Sequence, residues 1–425
     1  MNRTIKMLVK FTIKNFASIR SAQTLDMRAE AYTDMADSNL FEWKAEFDSQ
    51  RLLNTAAIYG ANASGKSNMI SGLSTMMTII TKSAQWQVDE HLPYNPYRLS
   101  VETKNAETEF ELELICNNVR YLYGFSYVEN RIVTEWLFAF PKKKPQKWFL
   151  RAWDGEQYQW DLGRNLTGEK QTWVNSTKKN SLFLSTAVQL NSEQLKPIFE
   201  WFNSELAIAG IHGWGVDFSA YQCDKLDEKN HILKLLRDVD ISIEDILIEK
   251  EEFDENNLPS DMPKELKKTI IEKMKGETLF STKFLRLDDD GKTVEFDLNE
   301  ESDGTQRFFS FAGPWLDALA CGNVLFVDEL NSNLHPLLVK HMVKLFQNPK
   351  NNPNNAQLVF TTHETSILNQ DVFRRDQIWF MQKDGNQSEF YSLSNFNKPR
   401  KGYENLEERY LSGSYGALPF ISLGI

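Results

Sequence analysis

Residues 60–67 read Gly-Ala-Asn-Ala-Ser-Gly-Lys-Ser, and the chemistry of that run dictates its surroundings. The glycines let the backbone turn tightly and aim N–H groups at phosphate oxygens. Lys66 supplies a point charge for the β- and γ-phosphates, and Ser67 offers a hydroxyl to Mg²⁺. Such a loop needs a buried strand before it and a helix after it. Asn54-Thr-Ala-Ala-Ile-Tyr59 reads as the strand. Met69, Ile70, Leu73, Met76, Met77 and Ile80 recur at helical spacing after it. The helix N-terminus then adds partial positive charge at the anion. The nucleotide contacts expected here are Gly60, Asn62, Ala63, Ser64, Gly65, Lys66, Ser67 and Asn68.

The flanking sequence alternates between two styles. Ile5 to Ile13 follows period two, as a half-buried strand does. Glu109, Glu111 and Glu113 alternate with Phe110, Leu112 and Leu114; Asn117-Asn118 offers a turn, and Val119 to Tyr127 alternates again. With Ile132 to Phe140 this predicts an antiparallel meander. Val324-Leu-Phe-Val327, Leu358-Val-Phe-Thr361 and Ile378-Trp-Phe-Met381 are instead continuous apolar runs of the parallel-sheet kind. A hairpin is expected at Asp384-Gly385. The central sheet therefore takes strands from both ends of the chain. Between them, Glu193–Phe202 and Asn230–Asp238 read as helices. Glu249–Glu277 reads as a charged, exposed insertion holding one amphipathic helix, Lys264–Met274.

Composition narrows the partners. The 425-residue chain carries a net charge of −11, which disfavours general nucleic-acid or membrane-surface binding. Any such contact would fall to local runs such as Lys142–Lys147 or Lys398–Lys401, so direct nucleic-acid binding stays open. Three scattered cysteines and six scattered histidines form no disulfide framework or zinc pattern. A reducing, cytoplasmic setting is expected, with no signal peptide and no membrane span.

Asp328 and Glu329 close the strand Val324–Val327. A carboxylate there can hold Mg²⁺ through water, and the next can orient and deprotonate an attacking water. Asp328 is thus the expected metal partner and Glu329 the expected base. His363 follows Leu358–Thr362 and can reach a γ-phosphate. In Glu301-Ser-Asp-Gly-Thr-Gln-Arg307, which precedes an apolar helix face, Ser302, Asp303 and Gly304 lie at a helix N-terminus suited to a second phosphate contact. Taken alone, that stretch is a simple N-cap.

In order, these pieces resemble the ABC-type ATPase head of the structural-maintenance-of-chromosomes, RecF and OLD proteins. The RloA or AbiL kind of bacterial antiphage ATPase, often labelled AAA-family, is nearer still. Phe11–Phe16, Asp328–Pro336, Phe373–Trp379 and Tyr410–Pro419 add to the match, which loosens over residues 191–285. The resemblance implies an α/β P-loop NTPase fold with a mostly parallel central sheet, an antiparallel β subdomain and a helical insertion. Within one head over 1–425, the expected parts are 1–84, 101–190, 191–300 and 301–425. It also implies that Ser302, Gly304 and Gln306 face the γ-phosphate of a second subunit. ATP and Mg²⁺ are then the cofactors, the ATP-bound state is a homodimer or larger, and the output passes to a separate effector, often a nuclease. No nuclease domain is expected within this chain. Two departures stand out: Glu301 and Asp303 replace the usual Leu and Gly of the signature, and Asn331 replaces the usual Asp, leaving an amide to bond across an interface. Gln85 and Gln87 are positional candidates for a glutamine loop. The competing readings are a nucleotide-gated scaffold with little turnover and a RecF-like DNA-repair ATPase.

Overall fold

The computed structural model describes residues 6–142, 144–211, 213–253, 255, 258, 262–274, 278–397 and 404–419. The first elements are β1 (Lys6–Lys14), β2 (Gln23–Asp26), β3 (Leu40–Lys44), β4 (Ser49–Leu53), β5 (Thr55–Tyr59) and α1 (Lys66–Lys82). A run of strands follows: β6 (Thr108–Cys116), β7 (Val119–Val128), β8 (Arg131–Phe140), β9 (Gln146–Trp153) and β10 (Tyr158–Leu162). Short helices α2 (Lys170–Ser176), α3 (Phe183–Gln189) and α4 (Lys196–Glu200) then lead through a π-helical turn to β11 (Leu206–Ala209). Next come α5 (Asp217–Cys223), α6 (Leu226–Arg237), β12 (Asp245–Glu252), α7 (Lys264–Met274), β13 (Thr278–Leu287) and β14 (Thr293–Asp297). The last stretch holds α8 (Asp303–Cys321), β15 (Val324–Val327), α9 (Pro336–Gln347), β16 (Gln357–Thr361), β17 (Ile378–Asp384), β18 (Gln387–Ser392) and α10 (Leu406–Leu411).

Two compact units emerge. The first joins Met1–Ile211, Ala318–Ser332 and Val339–Ile425; the second joins His212–Asp317 and Asn333–Leu338. The first contains a six-stranded sheet in the order β11-β15-β16-β5-β17-β18. Its first five strands are parallel and β18 returns antiparallel. β5, β15 and β16 are buried at every position, which is why they read as unbroken apolar runs. A seven-stranded antiparallel sheet, β10-β9-β8-β7-β6-β1-β2, lies in the same unit. Asn117 and Asn118 both take positive φ, at 51° and 59°, as the tight β6–β7 hairpin requires. Gln357, fully buried, ties the two sheets: its Oε1 accepts from Leu8 N at 2.7 Å, and its Nε2 donates to Leu8 O and Leu53 O at 3.1 and 3.0 Å.

The second unit holds the sheet β12-β13-β14. Glu249–Glu252, expected at the start of the charged, exposed insertion, completes β12 and pairs with Thr278–Ser281 of β13. Helix α7 matches the expected Lys264–Met274, while residues 254, 256–257, 259–261 and 275–277 lie outside the described residues. The expected helix Glu193–Phe202 begins only at Lys196 and passes into the π-helical turn at Trp201. Residues 206–209 go to the central sheet, so the second unit starts later than the expected 191. The run Lys398–Lys401 lies outside the described residues. Lys142 sits over the Phe47 ring and Lys147 pairs with Asp161. Cys116 and Cys223 are buried and Cys321 is exposed, and none of the three forms a disulfide among the described residues.

Candidate active site

Sheet order places the site. β16 lies between β5 and β15, and all three run parallel. Their C-terminal ends therefore open at one edge, delivering the phosphate loop, His363 and the Asp328-Glu329 pair to the same place. That edge is where parallel sheets bind ligands.

The loop conformation depends on its glycines. Gly65 has φ +108°, and a Cβ there would meet Ser388 Oγ at 2.2 Å and Ser18 Oγ at 2.7 Å. A Cβ at Gly60 would lie 2.2 Å from the Met381 carbonyl oxygen. Ala63 also takes positive φ, at 58°. Alternating hand turns successive N–H groups into one concavity, a nest suited to anions. The expected contacts Asn62 to Asn68 line a cavity of about 280 Å³, with Glu329 and His363 on its wall. Gly60 lies at the edge of a neighbouring pocket with Ala61, Asn62 and His363. Gln85 and Gln87 line neither pocket.

Lys66 is buried, and its ammonium donates to Gly60 O at 2.8 Å and Ala61 O at 3.0 Å. Burial lowers its pKa to about 8, against the opposing pull of Glu329 and Asp328. The cation thus rests on two neutral carbonyls, and a phosphate would be a stronger acceptor than either. His363 titrates below the ordinary imidazole value, first through partial burial and then through the Lys66 charge. It is therefore a neutral hydrogen-bonding group at neutral pH.

Thr361 organises the carboxylates. Its hydroxyl donates to Asp328 Oδ1 at 2.6 Å and accepts from the Glu329 N–H at 2.7 Å. Leu330 N donates to Thr361 O at 3.1 Å. Glu329 is held with φ +50°, a region costly for a side chain with Cβ. Ser332 Oγ donates to its Oε2 at 3.1 Å. Asn331 works inside the chain: its Oδ1 accepts from Thr362 Oγ1 at 2.9 Å and from His363 N at 3.2 Å. That oxygen is committed within the chain, which leaves the NH₂ group of the amide for the expected bond across an interface.

The donor set suits Mg²⁺. This ion favours one or two protein oxygens, with phosphate and water completing its shell, over an all-protein cage. Ser67 and the Thr361-anchored Asp328 would be that pair. Among the described residues no group of three or more His, Cys, Asp or Glu is placed to hold a metal ion.

Ser302, Gly304 and Gln306 belong to the second unit and start α8. Ser302 Oγ accepts from Thr305 N at 3.2 Å, so it caps the helix. Gln306 Nε2 donates to Glu301 O at 2.8 Å, and Glu301 takes a bidentate contact from Arg286 at 2.8 and 2.9 Å. The replacement of Leu by Glu301 in this motif thus has a local partner. Farther along, Pro314 interrupts α8. Ser219 fills the break, accepting from Gly313 N at 3.0 Å and donating to Phe309 O at 2.6 Å.

Parallel sheet, phosphate loop, strand-end Asp-Glu pair and His make up the P-loop fold of an ABC-type ATPase head. More narrowly, the chain belongs to the family described as "AAA domain, putative AbiEii toxin, Type IV TA system", whose model matches residues 56–369. No curated protein matches the chain. The SMC head domain from Thermotoga maritima is similar at 11% identity, over 91% of this chain and 98% of that one, with a TM-score of 0.40. The SMC head bound to the C-winged helix domain of ScpA is similar at 10% identity, over 91% and 97%, with a TM-score of 0.39. RecF with ATP, a recombination mediator of the RecFOR pathway, is similar at 12% identity, over 92% and 99%, with a TM-score of 0.36.

Proposed function

We propose that the chain binds and hydrolyses ATP with Mg²⁺, closes with a second copy around the nucleotide, and so controls a separate effector in bacterial antiphage defence. The effector is a nuclease in this reading, and the setting is cytoplasmic. One observation carries the enzymatic part: Lys66, Glu329 and His363 converge on the cavity formed by the phosphate loop. Nest N–H groups bind phosphate oxygens, and Lys66 exchanges its two carbonyls for phosphate. Glu329 orients the attacking water and takes its proton. Neutral His363 donates or accepts a hydrogen bond at the γ-phosphate. Mg²⁺, held by Ser67 and Asp328, supplies charge neutralisation on the phosphate oxygens when bound. The α8 N-terminus, capped by Ser302, brings free N–H donors and its dipole to the partner copy's γ-phosphate. The description of the family as "putative AbiEii toxin, Type IV TA system" supports a defence role. Among the described residues no helix is long and apolar enough to cross a membrane.

Glu329→Gln tests both catalysis and assembly. The variant should bind Mg-ATP, turn it over about 10²–10⁴-fold more slowly, and accumulate as a dimer or larger assembly by light scattering. Pull-down from the native host in that trapped state should retain the nuclease. Unchanged turnover removes Glu329 as the base. A monomer at saturating ATP removes the shared-site model, and retention of no nuclease removes the effector.

A further inference from the structure

Behind the phosphate loop runs a hydrogen-bond chain, and its meaning rests on the nucleotide-binding reading above. Asn68 Nδ2 donates to Ser18 Oγ at 2.7 Å. Ser18 Oγ lies 2.6 Å from Ser388 Oγ. Ser388 Oγ lies 2.6 Å from the Ser64 carbonyl oxygen. Ser388 N also donates to Ser18 O at 2.8 Å, fixing the two segments to each other. Ser388 is buried on β18, and Ser18 lies just after β1.

Chemistry sets the direction of every proton. A carbonyl only accepts, so the single Ser388 proton goes to Ser64 O. Ser388 Oγ must then accept from Ser18, whose own oxygen accepts from the Asn68 amide. Each hydroxyl both gives and receives, which strengthens the chain. The relay passes directly under Gly65, where any Cβ would collide with both serine oxygens.

The consequence falls on one peptide plane. In a trans peptide the C=O and the following N–H point in opposite directions. Holding the Ser64 carbonyl back toward Ser388 turns the Gly65 N–H forward, to the side where the loop takes phosphate. We propose that Ser18 and Ser388 are positioning residues for the nucleotide. Their relay presets the Ser64–Gly65 peptide, so that the Gly65 N–H meets a β-phosphate oxygen without reorganisation. The β17–β18 hairpin thereby becomes part of the nucleotide site, although neither serine touches the ligand.

The test uses full-length Ser388→Ala and Ser18→Ala, with ATP and ADP binding by calorimetry, steady-state hydrolysis and ligand-free melting. Ser388→Ala should weaken ATP and ADP alike, by about tenfold, the size of one lost hydrogen bond at the loop. KM should rise with it, while kcat at saturation stays within about threefold. Ser18→Ala leaves the Ser388 donor on Ser64 and should cost less, about threefold. The double variant should resemble Ser388→Ala, because both act through one bond. Affinities within about twofold of wild type in Ser388→Ala overturn the proposal, as does lower melting without weaker binding. If Ser388→Ala does not fold, unchanged binding in Ser18→Ala overturns it equally. A wild-type chain that binds no ATP removes the parent reading and the relay together. A binding wild type with unaffected variants removes the relay alone.

Discussion

Thr361→Val isolates what one hydroxyl does at the carboxylate pair. Valine keeps the volume and the branched shape but removes both hydrogen bonds. Thr361 is fully buried and Asp328 nearly so, so water is a poor substitute. Losing a bond to a charged acceptor costs about 1.5–3 kcal/mol, and an unpaired N–H about 1–3 kcal/mol. Allowing for local relaxation, a net loss of about 2–4 kcal/mol is expected. Unfolding entropy near 2.1 cal/mol/K per residue makes this a Tm decrease of roughly 2–5 °C for a chain this size. The catalytic effect should be larger than the stability effect. Glu329 sits at φ +50° with its N–H anchored by Thr361. Freed of that anchor, its backbone relaxes and carries the base away from the water. A misplacement of about 1 Å costs about 10²-fold in rate. So kcat should fall by about 30–100-fold, while KM for ATP changes less than about threefold, since Lys66 holds its phosphates independently. Thr361→Ser, which keeps the hydroxyl, should retain near wild-type kcat. Steady-state Mg-ATP hydrolysis and thermal melting of the three proteins decide. A Val variant that melts lower but turns over within threefold of wild type refutes the argument, because Thr361 would then only pack.

Other outcomes follow from the same geometry. Burial holds Lys66 near a pKa of about 8, so ATP affinity should fall as pH rises through that value, by about tenfold between pH 7 and 9. The ligand-free protein should respond in the opposite sense. The cost of burying the Lys66 charge is present below its folded pKa and is relieved as pH rises from about 8 toward 10.5. Calorimetric affinities that are flat from pH 7 to 9 contradict this. Ser302→Arg should bind ATP but fail to hydrolyse it, and mixing with Lys66→Ala should restore some turnover through one intact shared site. If mixing and co-expression restore none, the two-copy arrangement loses its support. Ser219→Ala removes the hydroxyl that fills the Pro314 break in α8, and should cost about 2 kcal/mol in chemical denaturation. An unchanged midpoint would show that the helix closes the gap unaided.

The loop and its flanks were legible in sequence because their chemistry is local. A nest needs glycines at fixed spacing, a buried parallel strand needs an unbroken apolar run, and α1 shows its apolar face at helical spacing. Sheet order was not legible. Nothing in Leu358–Thr361 says that β16 lies between β5 and β15, yet that order is what joins His363 to Lys66 and Glu329. Long-range polar partners were equally invisible. Ser388 is 324 residues from Ser64 and sits in a hairpin with no motif of its own. Phe373–Trp379 contributed to the family resemblance, yet its polar residues serve packing. Arg374 binds Asp376 at 2.9 and 2.7 Å and the Asp34 carbonyl at 2.6 Å, while Gln377 Nε2 donates to Thr55 Oγ1 at 2.6 Å. These are buried donors satisfied under β5, where an unpaired group would be costly.

Asn331 shows how the two kinds of information combine. The resemblance calls for an aspartate, so the sequence alone suggests altered coupling between subunits. In the structure its Oδ1 accepts from the Thr362 hydroxyl and from the His363 N–H, joining the loop after β15 to the loop after β16. One aspartate oxygen could accept the same two bonds. The internal link therefore survives the change from acid to amide. What changes is the other terminal atom, an anionic oxygen in the acid and an NH₂ donor here. The departure thus preserves the scaffold under His363, and removes one negative charge near the cavity of the phosphate loop. It follows that the consequence of Asn331 lies in electrostatics and in what its NH₂ group meets, not in how His363 is held.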